Sequence, residues 1–303
     1  MLEIIKAIIY GIVEGITEWL PVSSTGHLIL VEQLIPFKET SEGFFDMFDV
    51  VIQLGAILAV VVIYWSKIWP FYNKKNPENK PNGIKKASTD LSIGNVAMSM
   101  DAFWLWVKIV VACIPAVVYG LLLDDMVSEF FAKPADASGT PILAYVVAAM
   151  LIVVGIAFLV IENKNKGRKP SVIDLSALTY RDVFIIGLFQ LVAAALPGTS
   201  RSGATILGAI MIGISRTVAA EFTFFLGIPV MFGASLLKVL KFGFEFTGTE
   251  LTILLTGTLV SFLVSMVVLK FLVGYIKKHD FKVFGWYRIV LGIVVLAAFG
   301  FFL

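Results

Sequence analysis

The sequence predicts an all-α integral membrane protein made of two inverted-topology repeats, each with three spanning helices and one re-entrant helical hairpin. Three observations lead there. Of 303 residues, 58% are hydrophobic and only 15% charged, whereas a soluble domain is nearer half and a quarter. The apolar residues lie in blocks of bilayer-spanning length, about 20 residues, and a chain of this size has too little polar surface to cover them all in water. Two further apolar stretches are broken in their middles by Pro21-Val-Ser-Ser-Thr-Gly-His27 and Pro197-Gly-Thr-Ser-Arg-Ser-Gly203.

The elements follow in order. Residues 2–37 are apolar but split at Pro21, and each half is short for a full crossing. A broken helix is tolerated at membrane depth only where protein or water covers the break, so this stretch is expected to be a re-entrant hairpin. No basic flank precedes its apolar run, and Glu14 and Glu18 interrupt it. It is therefore expected to be mature structure and not a cleavable signal peptide. Spans are expected near 44–66, 103–123 and 141–161, completing a first repeat over 1–162. A basic linker, 163–182, leads into the second repeat, 183–303, with a hairpin at 183–215 and spans near 218–238, 251–273 and 286–303. The Asn-, Pro-, Lys-, Gly- and Ser-containing stretch 73–100 reads as a flexible loop.

Charge orients these elements. The segment 66–102 carries Lys67, Lys74, Lys75, Lys80, Lys85 and Lys86, and 162–182 carries Lys164, Lys166, Arg168, Lys169 and Arg181. The segment between, 124–140, has Lys133 against Asp124, Asp125, Glu129 and Asp136. The positive-inside rule makes the first two cytoplasmic and the third external. Lys277, Lys278 and Lys282 then fall inside, and both termini outside. The net charge of +2, with no dense basic stripe, argues against a nucleic-acid partner. Cys113 is the sole cysteine; it can form no intramolecular disulfide and reads as a small packing residue.

The two hairpins resemble each other. With an offset of 176 residues, Gly11 meets Gly187, Leu20 meets Leu196, Pro21 meets Pro197 and Ser24 meets Ser200. Three crossings per half is an odd number, so the second half must lie upside down. Inverted repeats of broken helices place their breaks face to face near the bilayer midplane. Residues 21–27 and 197–203 are therefore expected to build one site.

Its chemistry can be read from the residue types. Glu14 and Glu18, four apart, stack on one helix face, and a carboxylate at membrane depth is costly enough to call for a functional reason. Past Pro21, Ser23 or Ser24 can cap the next helix, whose free N–H groups and positive dipole end form a phosphate cradle. His27 follows one turn on, and an imidazole beside a hydroxyl is the arrangement of an activated nucleophile. In the second hairpin Thr199 or Ser200 can cap, and Arg201 offers a permanent cation whose fork suits phosphate oxygens. Gln190 and Ala194 stand where the first hairpin has Glu14 and Glu18, an asymmetry that suits catalysis better than a symmetric pore. Ser23, Thr25, Gly26, Thr199, Ser200, Arg201 and Ser202 are the candidate substrate-binding residues, although any one hydroxyl could merely satisfy backbone at a break. His279 reads as an exposed loop residue. Asp46, Asp49 and Glu221 are ambiguous and stay outside the candidate set.

Glu14-Gly-Ile-Thr-Glu-Trp-Leu-Pro-Val-Ser-Ser-Thr-Gly-His27 and Pro197-Gly-Thr-Ser-Arg-Ser-Gly-Ala-Thr205 strongly resemble the two signature motifs of the undecaprenyl-pyrophosphate phosphatases of the bacitracin-resistance (BacA) type. Phe48-Asp-Val-Val-Ile-Gln-Leu-Gly55 is also similar to that family, as is the order of spans; the long 73–100 segment is a departure. The resemblance implies an enzyme that takes one phosphate from undecaprenyl pyrophosphate, giving the lipid carrier of bacterial cell-wall synthesis. It further implies a role in bacitracin resistance, a Mg²⁺ or Ca²⁺ requirement and an outward-facing site in the bacterial inner membrane. Carried over, the family's acidic pair falls on Glu14 and Glu18 as metal ligands. Its catalytic groups fall on Ser24, His27, Glu18 and Arg201. The expected partners are a polyprenyl pyrophosphate lipid and the bilayer, with a homodimer left open. The competing classes are an inverted-repeat transporter or lipid flippase without hydrolytic activity, and a lipid-binding scaffold.

Overall fold

A computed structural model of the chain describes residues 1–73, 90–133 and 142–302. Lys74, Lys75, Lys80, Lys85, Lys86 and Asp136 lie outside the described residues. The first apolar stretch forms α1 (Leu2–Thr17) and α2 (Ser24–Leu34). Then come α3 (Phe44–Ile63), the single turn α4 (Trp65–Ile68), α5 (Met100–Leu122), α6 (Asp124–Ala132) and α7 (Ile142–Lys164). The second broken stretch forms α8 (Tyr180–Ala195) and α9 (Arg201–Met211). The chain closes with α10 (Arg216–Phe242), α11 (Gly248–Ile276) and α12 (Lys282–Ala297).

Among the described residues, α3, α5, α7, α10, α11 and α12 with its helical continuation to Gly300 are long and apolar enough to cross a bilayer. The pattern on α11 shows why they need one. Leu255, Leu259, Leu263, Val267 and Phe271 recur every fourth residue or so, and each is more than half exposed. Its opposite face buries Gly257, Ser261 and Ser265. Large apolar groups outside and small ones inside make a lipid-facing helix that packs closely on its neighbours. Its start is fixed by a capping box between Thr247 and Glu250, and Glu250 also accepts from the Ser41 amide at 2.8 Å.

Two readings of connecting segments need correction. The 73–100 stretch is not all loop: β1 (Phe71–Asn73), β2 (Leu91–Ile93) and β3 (Val96–Met98) form an antiparallel sheet in the order β1-β3-β2, with Phe71 and Leu91 both opposite Met98. The cause is local. Gly94 at φ +63 opens a two-residue Gly-Asn hairpin turn between short apolar runs. The all-α reading therefore holds for the helical body and fails in this connection. Likewise the segment 124–140 begins as helix α6 rather than loop.

Packing crosses between the two halves. The first hairpin helix, α1, lies on α11, where a β-carbon on Gly11 would stand 2.6 Å from the Gly257 carbonyl oxygen. The second hairpin's α8 lies on α5, with Gly187 against the Ala112 carbonyl. Helix α3 packs on both α10 and α11, while α7 and α12 pair with each other. In that last crossing the two backbones nearly touch: a β-carbon on Gly155 would lie 2.7 Å from the Gly285 oxygen, and one on Gly285 2.9 Å from the Gly155 oxygen. Gly155→Ala should thus overpack the crossing and cost about 1–3 kcal/mol. A fall in the unfolding temperature of purified protein in detergent checks this; an unchanged value would mean that α7 and α12 are not in backbone contact.

Candidate active site

Each hairpin turns at a strained serine. In the first, α1 ends as the Glu18 amide donates to the Glu14 carbonyl at 3.0 Å. After a short turn, Ser23 sits at φ +76 and its hydroxyl accepts from the Gly26 amide at 3.3 Å. In the second, Ser200 sits at φ +68 and accepts from the Gly203 amide at 3.1 Å. Among the described residues, Ser23 and Ser200 are the two non-glycine positions with positive φ, backbone conformations that persist only where the surroundings impose them and that cluster at functional sites. Each is an N-cap serving the third amide of its helix.

The caps also adjust the register of the repeat. The offset that aligns Gly11 with Gly187 and Pro21 with Pro197 holds up to the proline. Beyond it the second hairpin is one residue longer, with Gly198 at φ +84 taking up the extra length. Ser23 therefore matches Ser200, and Gly26 matches Gly203. Ser24 then matches Arg201, each the first residue of its helix.

Those two first residues meet on one carboxylate. Arg201 Nη2 donates to Glu18 Oε1 at 2.9 Å, and Ser24 Oγ donates to Glu18 Oε2 at 3.2 Å. Arg201 Nη1 donates to the Thr223 carbonyl at 2.9 Å, and the guanidinium lies over the Trp19 ring, 5.8 Å from its centroid. Ser202 Oγ donates to the Glu18 carbonyl at 2.9 Å, a second tie from one break to the other. Thr205 donates to the Arg201 carbonyl and accepts from Thr223.

The remaining predicted residues fall around this centre unevenly. Glu14 is wholly buried and neither of its carboxylate oxygens has a partner. Gln190, its counterpart in the second hairpin, is buried and equally unpartnered, as is the Thr199 hydroxyl. Gly26 is packed against Leu151. Thr25 is exposed on α2, and no hydrogen bond joins it to the other site residues. His27 is not brought onto Ser24. Its Nδ1 lies 2.7 Å from the Ser23 carbonyl and its Nε2 2.7 Å from the Tyr287 hydroxyl, with the two rings stacked. A carbonyl can only accept, so Nδ1 carries the proton and a neutral ring accepts from Tyr287 at Nε2. Of the residues left outside the set, Glu221 pairs with Lys67 at 2.9 Å, Asp46 is exposed, and His279 is exposed beside Tyr275. A cavity of about 520 Å³ lies elsewhere, among Arg168, Lys169, Arg216 and Lys277, and no candidate catalytic residue lines it.

Sequence reasoning does not single out Thr223, Tyr287 or Arg288. Thr223 and Tyr287 carry no signal in a helix of this composition. Arg288 does: it is a lone cation inside an apolar block, and ionisable residues at membrane depth are functional candidates by default. It is fully buried, and its guanidinium donates to the carbonyls of Pro21 at 3.2 Å and of Gly198 and Thr199 at 2.9 Å each.

Unpartnered buried carboxylate oxygens are hard donors of the kind a divalent cation takes, and here they belong to Glu14, since both Glu18 oxygens are engaged. Glu14 offers two buried oxygens that nothing else satisfies, one turn before Glu18. Among the described residues no three His, Cys, Asp or Glu side chains gather as a metal-holding group.

A family model described as bacitracin resistance protein BacA matches residues 7–294. The chain belongs to the BacA family. A relative from Desulfitobacterium hafniense named undecaprenyl-diphosphatase is 55% identical over 299 residues, 99% of this chain and 97% of that protein. Relatives of the same name from Lachnoclostridium phytofermentans and Enterococcus faecalis are 54% and 52% identical, each over at least 97% of this chain and 96% of theirs. The residues that meet at the two breaks lie within the BacA match.

A double-mutant cycle tests the central pair. Removing one member of a buried ion pair strands the other, at about 3–5 kcal/mol. Glu18→Gln and Arg201→Gln should each lower the unfolding free energy by that order, and the double variant by clearly less than their sum. Strict additivity would show that the two side chains do not pair in solution.

Proposed function

We propose that this BacA-family protein hydrolyses undecaprenyl pyrophosphate to undecaprenyl phosphate and inorganic phosphate within the bacterial inner membrane. This recycles the lipid carrier for cell-wall synthesis and lowers the pyrophosphate lipid that bacitracin sequesters. One observation carries the reading: a hydroxyl, a carboxylate and a guanidinium converge where two helices begin, buried inside a molecule whose outer face is made for lipid. The two helix starts and Arg201 present donors to the three outer oxygens of a phosphoryl group, where charge accumulates during transfer.

The chemistry then runs in two displacements. Ser24 Oγ attacks the terminal phosphorus while Glu18, already on that hydroxyl, takes its proton. The bond from phosphorus to the bridging oxygen breaks, and the lipid monophosphate leaves with that oxygen. Water next attacks the phosphoserine, passing its proton to His27 Nε2 as Tyr287 swings off that nitrogen; the bond from phosphorus to Ser24 Oγ breaks, and His27 then gives the proton to solvent. Glu18 returns its proton to Ser24 Oγ as inorganic phosphate departs. The pairing expected from sequence was Ser24 with His27, but the Ser24 hydroxyl already donates to Glu18 while both His27 ring nitrogens are engaged elsewhere, so Glu18 is the better-placed first base. Glu14 and Glu18 would hold Mg²⁺ or Ca²⁺, which when bound neutralises charge on the phosphate oxygens.

The wider architecture belongs to the same proposal: two repeats of inverted topology, 1–162 and 183–303, joined by 163–182, each with a re-entrant hairpin. The reciprocal packing supports it, α1 on the middle span of the second half and α8 on the middle span of the first. Loop charge orients both termini outside, and the resemblance to the family implies a site that faces outward. The transport and scaffold readings have no observation of their own.

Phosphate release from a C55 or C15 pyrophosphate by purified protein in detergent, with divalent cation present, is the first test. Wild type should turn over, and chelation should stop it; no release would leave the transporter or scaffold. With ³²P on the terminal phosphate, His27→Gln should accumulate label on Ser24, while Glu18→Gln should label at least about 100-fold more slowly, the lower end of what an acid–base group contributes. Turnover by Ser24→Ala at the wild-type rate would remove serine as nucleophile and favour direct attack by water. Sidedness is read from cysteines placed singly at Lys80 and Glu129: an impermeant maleimide added to whole cells should label the second and spare the first.

A further inference from the structure

We propose that Arg288 is a positioning residue of this site, a guanidinium clamp that holds the two helix breaks at the separation catalysis needs; this rests on the phosphatase reading. Breaking a helix at membrane depth frees carbonyls that have no water to bond, and each must find a donor. Pro21 belongs to one break, and Gly198 and Thr199 to the other. The carbonyls of all three are satisfied by Arg288, which comes from a third element, α12. The two breaks are thus joined through one planar group.

Three features mark this as a built arrangement. Arg288 is fully buried and pairs with no carboxylate among the described residues, so its charge is balanced only by carbonyl dipoles until an anion enters the site. Room for it exists because Gly203 has no side chain: a β-carbon there would stand 3.1 Å from Arg288 Nη1. Its own backbone is held by the close α7–α12 crossing, where Gly285 and Gly292 lie against the Gly155 and Ala148 carbonyls. The neighbouring Tyr287 holds His27 from the same turn of α12. One turn of one helix therefore holds the start of α2 through Pro21 and His27 and the start of α9 through Gly198 and Thr199, and so aims Ser24 and Arg201 at a common phosphoryl group. Lysine keeps the charge but has no fork, so it cannot reproduce a bond set spread over three carbonyls of two segments.

Arg288→Lys and Arg288→Gln, assayed for phosphate release alongside hydrogen–deuterium exchange, test the clamp. Misplacement of reacting groups by about 1 Å costs on the order of 100-fold in rate, so kcat should fall about 10- to 100-fold in Arg288→Lys while KM stays within about threefold. Exchange should rise together in residues 20–26 and 197–204 and stay at the wild-type level across the α7–α12 contact. A wild-type kcat in Arg288→Lys, or faster exchange confined to α7 and α12, would overturn the proposal. If Arg288→Gln fails to fold, Arg288→Lys still decides. Absence of turnover in wild type would overturn the phosphatase reading instead, and the exchange data would still judge whether Arg288 joins the breaks.

Discussion

A helix that stops inside the apolar interior of a protein leaves amides and carbonyls that only protein can satisfy, and the rest of this structure answers that constraint. On the amide side, Ser23 and Ser200 accept strained backbone geometry in order to cap. On the carbonyl side, Arg288 collects donors for Pro21, Gly198 and Thr199, and Ser202 supplies one for Glu18. Satisfying the breaks and drawing them together are the same act, because several of these bonds run from one hairpin to the other or through a shared helix. What results is a small polar interior in which the Arg201 and Arg288 Nε groups and the Glu14 carboxylate oxygens are left without partners.

Pseudo-equivalence of the two hairpins makes their differences informative. Both bury a polar residue at the same register, but one is the carboxylate Glu14 and the other the amide Gln190. Both begin their second helix after a serine cap, but the first helical residue is a hydroxyl in one and a guanidinium in the other. The extra residue, Gly198, lets the second break come close to the Val147 backbone, where a β-carbon would lie 2.6 Å away. One hairpin carries the carboxylates and the hydroxyl, the other the amide and the guanidinium. Glu18, bonded to both Ser24 and Arg201, is where the halves join.

Much of this was legible in the sequence, for reasons that differ element by element. The spans were visible because lipid exposure demands long apolar runs, and Phe44–Ile63 and Met100–Leu122 fall within three residues of expectation at either end. The breaks were visible because proline followed by hydroxyls and glycine admits few other structures. Which serine caps was not legible, since Ser23 and Ser24 are chemically alike and only the backbone chooses. The partnership of Ser24 with Glu18 rather than His27 was also hidden: it depends on Tyr287, which approaches from 260 residues away. Arg288 left a signal as an isolated cation in an apolar span, yet its partners are backbone atoms, which no residue pattern announces. The sheet around Gly94 was hidden by composition, because polar loop residues and a short hairpin share the same letters.

The most direct test of the account is an experimental structure of the protein with a non-hydrolysable polyprenyl pyrophosphate analogue, such as a methylene bisphosphonate. The terminal phosphonate should lie within hydrogen-bonding distance of Ser24 Oγ and Arg201, between the starts of α2 and α9, with the Pro21 and Gly198 carbonyls still on Arg288. Finding the head group instead in the basic cavity beside Arg168, Lys169 and Lys277, with the two breaks empty of ligand, would contradict it.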